Sequence, residues 1–174
     1  MDLTEKVVWQ VRPSQLINFK TYSRCVMIML LTIVIKKVWN EMYFFRQYHN
    51  DQTIFAIYQY VIIGLIVIPA IRIAWAWIVV SCRQYSMTNQ RLSETYGVFS
   101  KVTEDLELYR IKDSTIVEPF ELRMFGLGNV VLMTSDRSTP VVVLQGVKDV
   151  EKVQSMVREY VEIMRTYKGV REVD

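Results

Sequence analysis

Apolar positions are spread unevenly along the chain, and the change in their period divides it into parts. From Ile54 to Val80 the sequence reads IFAIYQYVIIGLIVIPAIRIAWAWIVV, with Arg72 as the charged residue inside it. A helix needs roughly 20 apolar residues to cross the ~30 Å hydrocarbon layer at about 1.5 Å per residue. The run therefore predicts a transmembrane helix over 54–80. Tyr58 and Tyr60 near one end and Trp75 and Trp77 near the other suit the two membrane interfaces. Pro69 is tolerable in such a helix because neighbouring groups can satisfy the freed carbonyl.

An earlier apolar segment, Cys25 to Ile35, is too short to cross alone and is framed by Lys20, Arg24, Lys36 and Lys37. Long basic side chains can lay their stems along apolar surroundings and lift the charge to the interface, which extends the usable span to about 21–43. Trp39, Tyr43, Phe44 and Phe45 then form the far aromatic belt. A re-entrant or interfacial helix is the alternative. Two spans place both chain ends on one side of the bilayer. Lys6, Arg12, Lys20 and Arg24 precede the hairpin and Arg83, Arg91 and Lys101 follow it, against Lys36, Lys37 and Arg46 between the spans. This bias predicts cytoplasmic termini, although the Lys36–Lys37 pair opposes it. The first residues lack the apolar stretch and small-residue site of a cleavable signal peptide.

After Arg83 the period shortens to two. Strands are expected at 84–87, 92–96, 106–108, 114–119, 129–135 and 140–145. Asn89-Gln90, Gly97, Lys112-Asp113, Gly126-Leu127-Gly128 and Asp136-Arg137-Ser138 supply the turns. Val150, Val153, Val157, Tyr160, Val161 and Met164 then recur at steps of three and four, which predicts an amphipathic C-terminal helix with Asp149 as its N-cap. The expected division is an N-terminal cytoplasmic segment over 1–20, a hairpin over 21–82, a β-domain with its helix over 83–168, and a tail over 169–174.

These residues carry a resemblance. Tyr85-Ser86-Met87-Thr88-Asn89-Gln90-Arg91-Leu92, Tyr96-Gly97-Val98-Phe99 and Leu106 to Asp113, then Phe125 to Val130 and Leu144 to Val150, resemble in order and spacing the bacterial pleckstrin-homology domains attached to membrane hairpins. Glu5-Lys6-Val7-Val8-Trp9 with Arg12-Pro13-Ser14 is similar to the segment preceding their first span. The resemblance implies an α+β membrane protein: a two-helix transmembrane hairpin followed by a PH-like antiparallel β-barrel or sandwich closed by the C-terminal helix. It implies little chemistry. Phosphoinositide binding does not carry over, because no dense Lys/Arg cluster lies between the first two strands expected after the hairpin.

Charge narrows the function classes. Lys and Arg total 21 against 18 Asp and Glu, a net charge of +3, too small for a nucleic-acid partner. Cys25 and Cys82 lack zinc spacing and a disulfide framework and read as free thiols. His49 stands alone, so neither a histidine triad nor a multi-histidine metal site is available within one chain. Glu104, Asp105 and Glu107 read as a solvated strand edge, and Gly126-Leu127-Gly128 lacks the pattern of a phosphate cradle. No catalytic residue, cofactor, metal or small-molecule substrate is indicated, and an enzyme is not expected. The remaining candidates are polar groups in or beside the membrane, Arg24, Lys36, Lys37 and Arg72, and the interfacial anchors Trp39, Tyr43, Trp75 and Trp77. Arg72 can reach the interface, make a polar contact between helices or subunits, or serve transport. The expected function is a membrane-anchored scaffolding module whose partners are the bilayer and either copies of itself or another membrane protein. The alternative is a subunit of an oligomeric pore, transporter or export assembly.

Overall fold

The computed structural model describes residues 4–41 and 52–169. The chain divides into two compact units, one formed by Met1–Ile17 with Ile78–Asp174 and the other by Asn18–Trp77. Tyr43 and His49 lie outside the described residues.

Among the described residues, the first unit holds seven antiparallel strands in two sheets. One sheet has the order β1 (Val7–Val11), β2 (Gln84–Thr88), β3 (Arg91–Tyr96), β4 (Val102–Glu107). The other has β5 (Ile111–Val117), β6 (Leu127–Thr134), β7 (Val141–Lys148). Strand β1 comes from the segment that precedes the hairpin, so this sheet begins before the first helix and resumes after the second. Val11 pairs with Tyr85 and Val7 with Thr88.

Several boundaries differ from the expected ones. The acidic strand starts at Val102 rather than Leu106, and the chain turns through a 3-10 segment at Leu108–Arg110. Leu108 is fully buried there. Lys112 and Asp113 lie inside β5 beside a bulge instead of in a turn.

The core is built by alternation: Tyr85, Met87, Leu92 and Leu106 from one sheet meet Val130, Leu132, Leu144 and Val147 from the other. Helix α4 (Val150–Lys168) buries Val150, Val153, Val157, Val161 and Met164, nearly the whole expected stripe. Asp149 precedes it in the left-handed region at φ 49° without a side-chain capping bond, so its backbone rather than its carboxylate starts the helix. The same helix covers the edge of β5. Gln154 Nε2 donates to the Ser114 carbonyl at 2.7 Å and Arg165 to that of Ile111 at 2.8 Å, satisfying acceptors an edge strand leaves open.

A bulge between Gly128 and Val130 interrupts the β6–β7 ladder. Side chains take over there: the Gln145 N–H donates to Tyr85 Oη at 3.2 Å and the Gly146 N–H to Asn129 Oδ1 at 2.9 Å. Gly146, at φ 60°, turns its carbonyl to the Ser14 N–H at 3.0 Å, which pins the segment after β1 onto β7.

The second unit pairs α1 (Phe19–Glu41) with the greater part of α2 (Gln52–Ser81). Asn18 Nδ2 donates to the Ala76 carbonyl at 3.0 Å, and Trp39 stacks on Tyr58 with centroids 5.9 Å apart, so the helices run antiparallel. The less exposed positions include Tyr22, Cys25, Met29 and Thr32 on α1, and Tyr58, Ile62, Ile66, Pro69, Ile73 and Ala76 on α2, with Thr21, Phe55, Gln59 and Gly64 half-buried beside them. The spacing of the first group is the narrow seam of a coiled-coil pair. Both helices are apolar well beyond it: Ile28, Leu31, Val34, Val61, Ile63 and Ile68 are all exposed. Thr32, buried at the seam, donates to its own helix at the Ile28 carbonyl, 2.8 Å away.

Among the described residues, α2 is the helix long and apolar enough to cross a membrane, over Phe55–Ser81. The expected first span over 21–43 is not matched by α1 on length and hydropathy, because Lys20, Arg24, Lys36 and Lys37 crowd both ends of its apolar segment.

Candidate functional site

The register of the hairpin sorts the candidate residues into two levels. With Asn18 beside Ala76 and Trp39 beside Tyr58, Arg24 on α1 and Arg72 on α2 fall within about one helical rise, ~1.5 Å, of the same height. Trp75 and Trp77 lie beyond Arg72, toward the Asn18 end. Lys36, Lys37 and Trp39 gather at the opposite level with Tyr58 and Tyr60. Between the levels α1 and α2 each carry an uncharged stretch roughly 18 Å long, at about 1.5 Å per residue. All four basic residues are exposed, and so are Trp75 and Trp77. Arg24 Nε donates to the Lys20 carbonyl one turn back at 3.3 Å, which draws its side chain toward the end of the hairpin. The arrangement is a cationic and aromatic collar at each end of an apolar belt.

In the β-unit, a cavity of about 420 Å³ opens beside β3 and β4, with Leu92, Leu106 and Val142 in its lining and Glu94, Glu104, Asp105 and Asp136 around it. Each acid has a partner. Arg83 Nε stands 3.4 Å from Glu94 as an ion pair without hydrogen-bond alignment, and Arg83 also donates to Gln145 Oε1 at 3.2 Å. Tyr96 Oη donates to Glu104 at 2.6 Å, Arg91 to Asp105 at 3.3 Å, and Arg110 to Asp136 at 3.0 Å. Burial pushes the Glu94 carboxyl above its usual range; Arg83 offsets part of this and Glu104 adds to it. Hydrogen bonds from the Ser138 backbone and hydroxyl hold Asp136 below its usual range. Burial also raises the Tyr85 phenol, which stays a neutral acceptor for Gln145.

The expected solvated edge is found: Glu104, Asp105 and Glu107 are all exposed on β4, the edge strand of the first sheet. Glu104 and Asp105 also border the cavity, while Glu107 accepts from Tyr109 and Arg110 at 2.6 and 3.0 Å. Glu94 and Asp136 were not singled out, since only the approach of the β6–β7 turn to β3 and β4 brings them to one cavity. Across β5 and α4 a smaller cavity, about 220 Å³, is bordered by Lys112, Arg158 and Arg165. Arg158 and Arg165 are engaged there with Ser114 and the Ile111 carbonyl. Cys25 and Cys82 are both free thiols.

Two antiparallel sheets, of four and three strands, with a C-terminal helix over the core define a PH-like α+β domain. The bacterial PH domain family model matches residues 25–161, and the chain belongs to that family. The match starts inside α1, so it does not reach β1. The chain is also similar to a DUF1696-family protein with a pleckstrin-homology domain from Shewanella loihica PV-4, solved by crystallography. Identity is 18% over 45% of this chain and 71% of that one, with a TM-score of 0.35. No curated protein matches the chain. A PH-like domain with these features points to a protein-interaction module.

Proposed function

We propose that the protein is a membrane-anchored PH-like interaction module, held at the inner face of a bacterial inner membrane by a hairpin that crosses the bilayer twice. There it oligomerises or recruits another membrane protein, and it carries out no catalysis. The observation that supports this most directly is the exposed apolar surface of the hairpin. Few positions are buried, and large apolar side chains are exposed along most of α1 and α2. In water such a surface costs roughly 25 cal/mol per Å², a penalty that hydrocarbon removes. Monomeric soluble proteins rarely leave so continuous an apolar surface uncovered.

The short belt fits a bilayer through its collars. Arg24, Arg72, Lys36 and Lys37 each reach about 6 Å toward the head groups, which extends an ~18 Å belt to roughly the ~30 Å hydrocarbon thickness. Two crossings bring β1 and β2 to the same side, as their pairing requires. Anchoring raises the local concentration of the β-unit, so weak contacts between modules become effective.

The reading is tested by expressing the full chain and washing membranes with alkaline carbonate. Retention in the pellet until detergent is added is expected, and release of the chain as a freely soluble protein would overturn it. The mass of the purified chain in nanodiscs tests the assembly. A multiple of the 20.6 kDa chain, or a co-purifying membrane protein, is expected. A lone monomer at every concentration would remove the oligomerising and recruiting role.

A further inference from the structure

We propose that the end of the β-unit nearest the hairpin root is itself a lipid-contacting face, with two apolar turns entering the interfacial layer of the bilayer. This rests on the reading that the hairpin spans the membrane. The strand registers carry it. The chain leaves the first sheet at Val11 and returns at Gln84, and Val11 pairs with Tyr85 while Gln84 pairs with Thr95. Tyr96 pairs in turn with Val102, so the β3–β4 turn over 97–101 lies at this same end. Phe99 at its tip is 91% exposed, and Lys101 follows it.

The second sheet presents a matching turn. Gly146 accepts from Ser14, and a side chain at Gly146 would lie 3.5 Å from Ile17, the last residue of the β-unit before α1. Asn129, bonded to the Gly146 N–H, pairs with Val117, the last residue of β5. The β5–β6 connection therefore starts two strands from that contact, about 10 Å at ~4.8 Å per strand. It contains the short helix α3 (Phe120–Arg123), with Phe120 74% and Met124 67% exposed and Phe125 beside them. Leu122 alone of that helix is buried.

Large apolar side chains scattered singly over a surface need no explanation, but a cluster at one end does. Aromatic and methionine side chains flanked by Lys101 and Arg123 suit an interface where rings meet acyl chains and cations meet phosphates. Glu118 and Glu121 in the same connection limit the electrostatic part, so apolar insertion supplies the contact. Two such turns in the interfacial layer would fix the tilt of the β-unit on the membrane.

The test uses the full chain in nanodiscs of phosphatidylcholine and phosphatidylglycerol, with Cys25 and Cys82 replaced by alanine. Nitroxide labels are placed singly through Phe99→Cys, Met124→Cys, Ile63→Cys in the hairpin and Lys6→Cys at the far end of the first sheet. Accessibility to oxygen relative to a water-soluble nickel chelate should be several-fold higher at 99 and 124 than at 6, approaching that at 63. Values at 99 and 124 equal to that at 6, with 63 lipid-like, overturn the proposal and leave the spanning hairpin standing. A water-like 63 overturns both. Shielding of 99 and 124 from both quenchers assigns the face to protein, such as a second copy, and also overturns the proposal. The unmodified chain offers an independent measurement: a diazirine-bearing phospholipid should label 97–101 and 118–126 several-fold more than the turn at Asn89-Gln90, and equal labelling would overturn the proposal.

Discussion

Tyr85→Phe probes the join between the two sheets with little change in volume. The Tyr85 ring is fully buried and its hydroxyl accepts the Gln145 N–H at 3.2 Å, at a bulge where the strand ladder offers no carbonyl. Phenylalanine fills the same space but leaves that part-buried N–H without an acceptor, which costs about 1–2 kcal/mol, toward the lower end of the range for a buried group. The β-unit, Met1–Ile17 with Ile78–Asp174, has about 110 residues, and unfolding entropy near 2.1 cal/mol/K per residue gives roughly 0.23 kcal/mol/K. A loss of about 1.5 kcal/mol then lowers the melting midpoint by ~6 °C. The assay is near-UV circular dichroism of the full chain in detergent during heating, together with hydrogen exchange at the Gln145 amide. A midpoint within about 1 °C of the parent, with unchanged protection at Gln145, would refute the reasoning, because the amide would then have another acceptor.

Two glycines at positive φ should respond differently to alanine. At Gly97, with φ 113°, an added Cβ would meet the Ser100 carbonyl oxygen, so Gly97→Ala must rebuild the turn and should cost 2 kcal/mol or more in denaturant titration, against about 1 kcal/mol for Gly126→Ala, where φ is 65° and the space is open. Glu94→Gln should raise the melting temperature at neutral pH. The fold raises the Glu94 pKa above the usual 4.5, so ionisation in the folded state draws on stability as pH climbs from 4.5 through the raised value; the advantage of glutamine should disappear in melts below pH 4.5 and would be disproved by a gap that widens on acidification. Arg72→Leu should leave the chain in the carbonate-washed membrane pellet with unchanged helical ellipticity, since Arg72 lies off the seam and is exposed; loss of helix or of retention would mean that its guanidinium makes a structural contact.

Legibility in the sequence followed how local each signal was. Helix α2 and the buried stripe of α4 depend on periods within one segment, and they were read nearly residue by residue. Strand β1 was missed because Val7–Val11 is short and only partly buried, and its partner strand is separated from it by the whole hairpin. Lys112-Asp113 read as a turn from composition, yet the ladder to β6 holds that segment in a strand. The cavity beside β3 and β4 follows the same logic. Glu104 and Asp105 were visible as acids on a strand, but Glu94, Asp136 and the apolar lining meet them only through tertiary packing. The basic collar was legible as a list of residues. The common height of Arg24 and Arg72 needed the two contacts that set the helix register.

Insertion of the hairpin between β1 and β2 also orders the folding of the β-unit. Pairing Val11 with Tyr85 across an unstructured insert closes a loop of roughly 70 residues, and closure costs rise as about (3/2)RT ln n. Once Asn18 and Ala76 are in contact, the open part of that loop shrinks to about 14 residues, the short segments on either side. The difference is ~1.4 kcal/mol in favour of β1 pairing after the hairpin has formed. Synthesis imposes the same order, because the hairpin is complete before β2 exists. Strand β1 completes the first sheet, and Ser14 just beyond it donates to Gly146 on the second. A chain whose hairpin fails to close would still make β2 to β7 and α4 from contiguous sequence, but with an open edge at β2 and an unanchored bulge at Gly146. Such an edge accepts foreign strands, so closing the hairpin protects the β-unit from pairing with other chains.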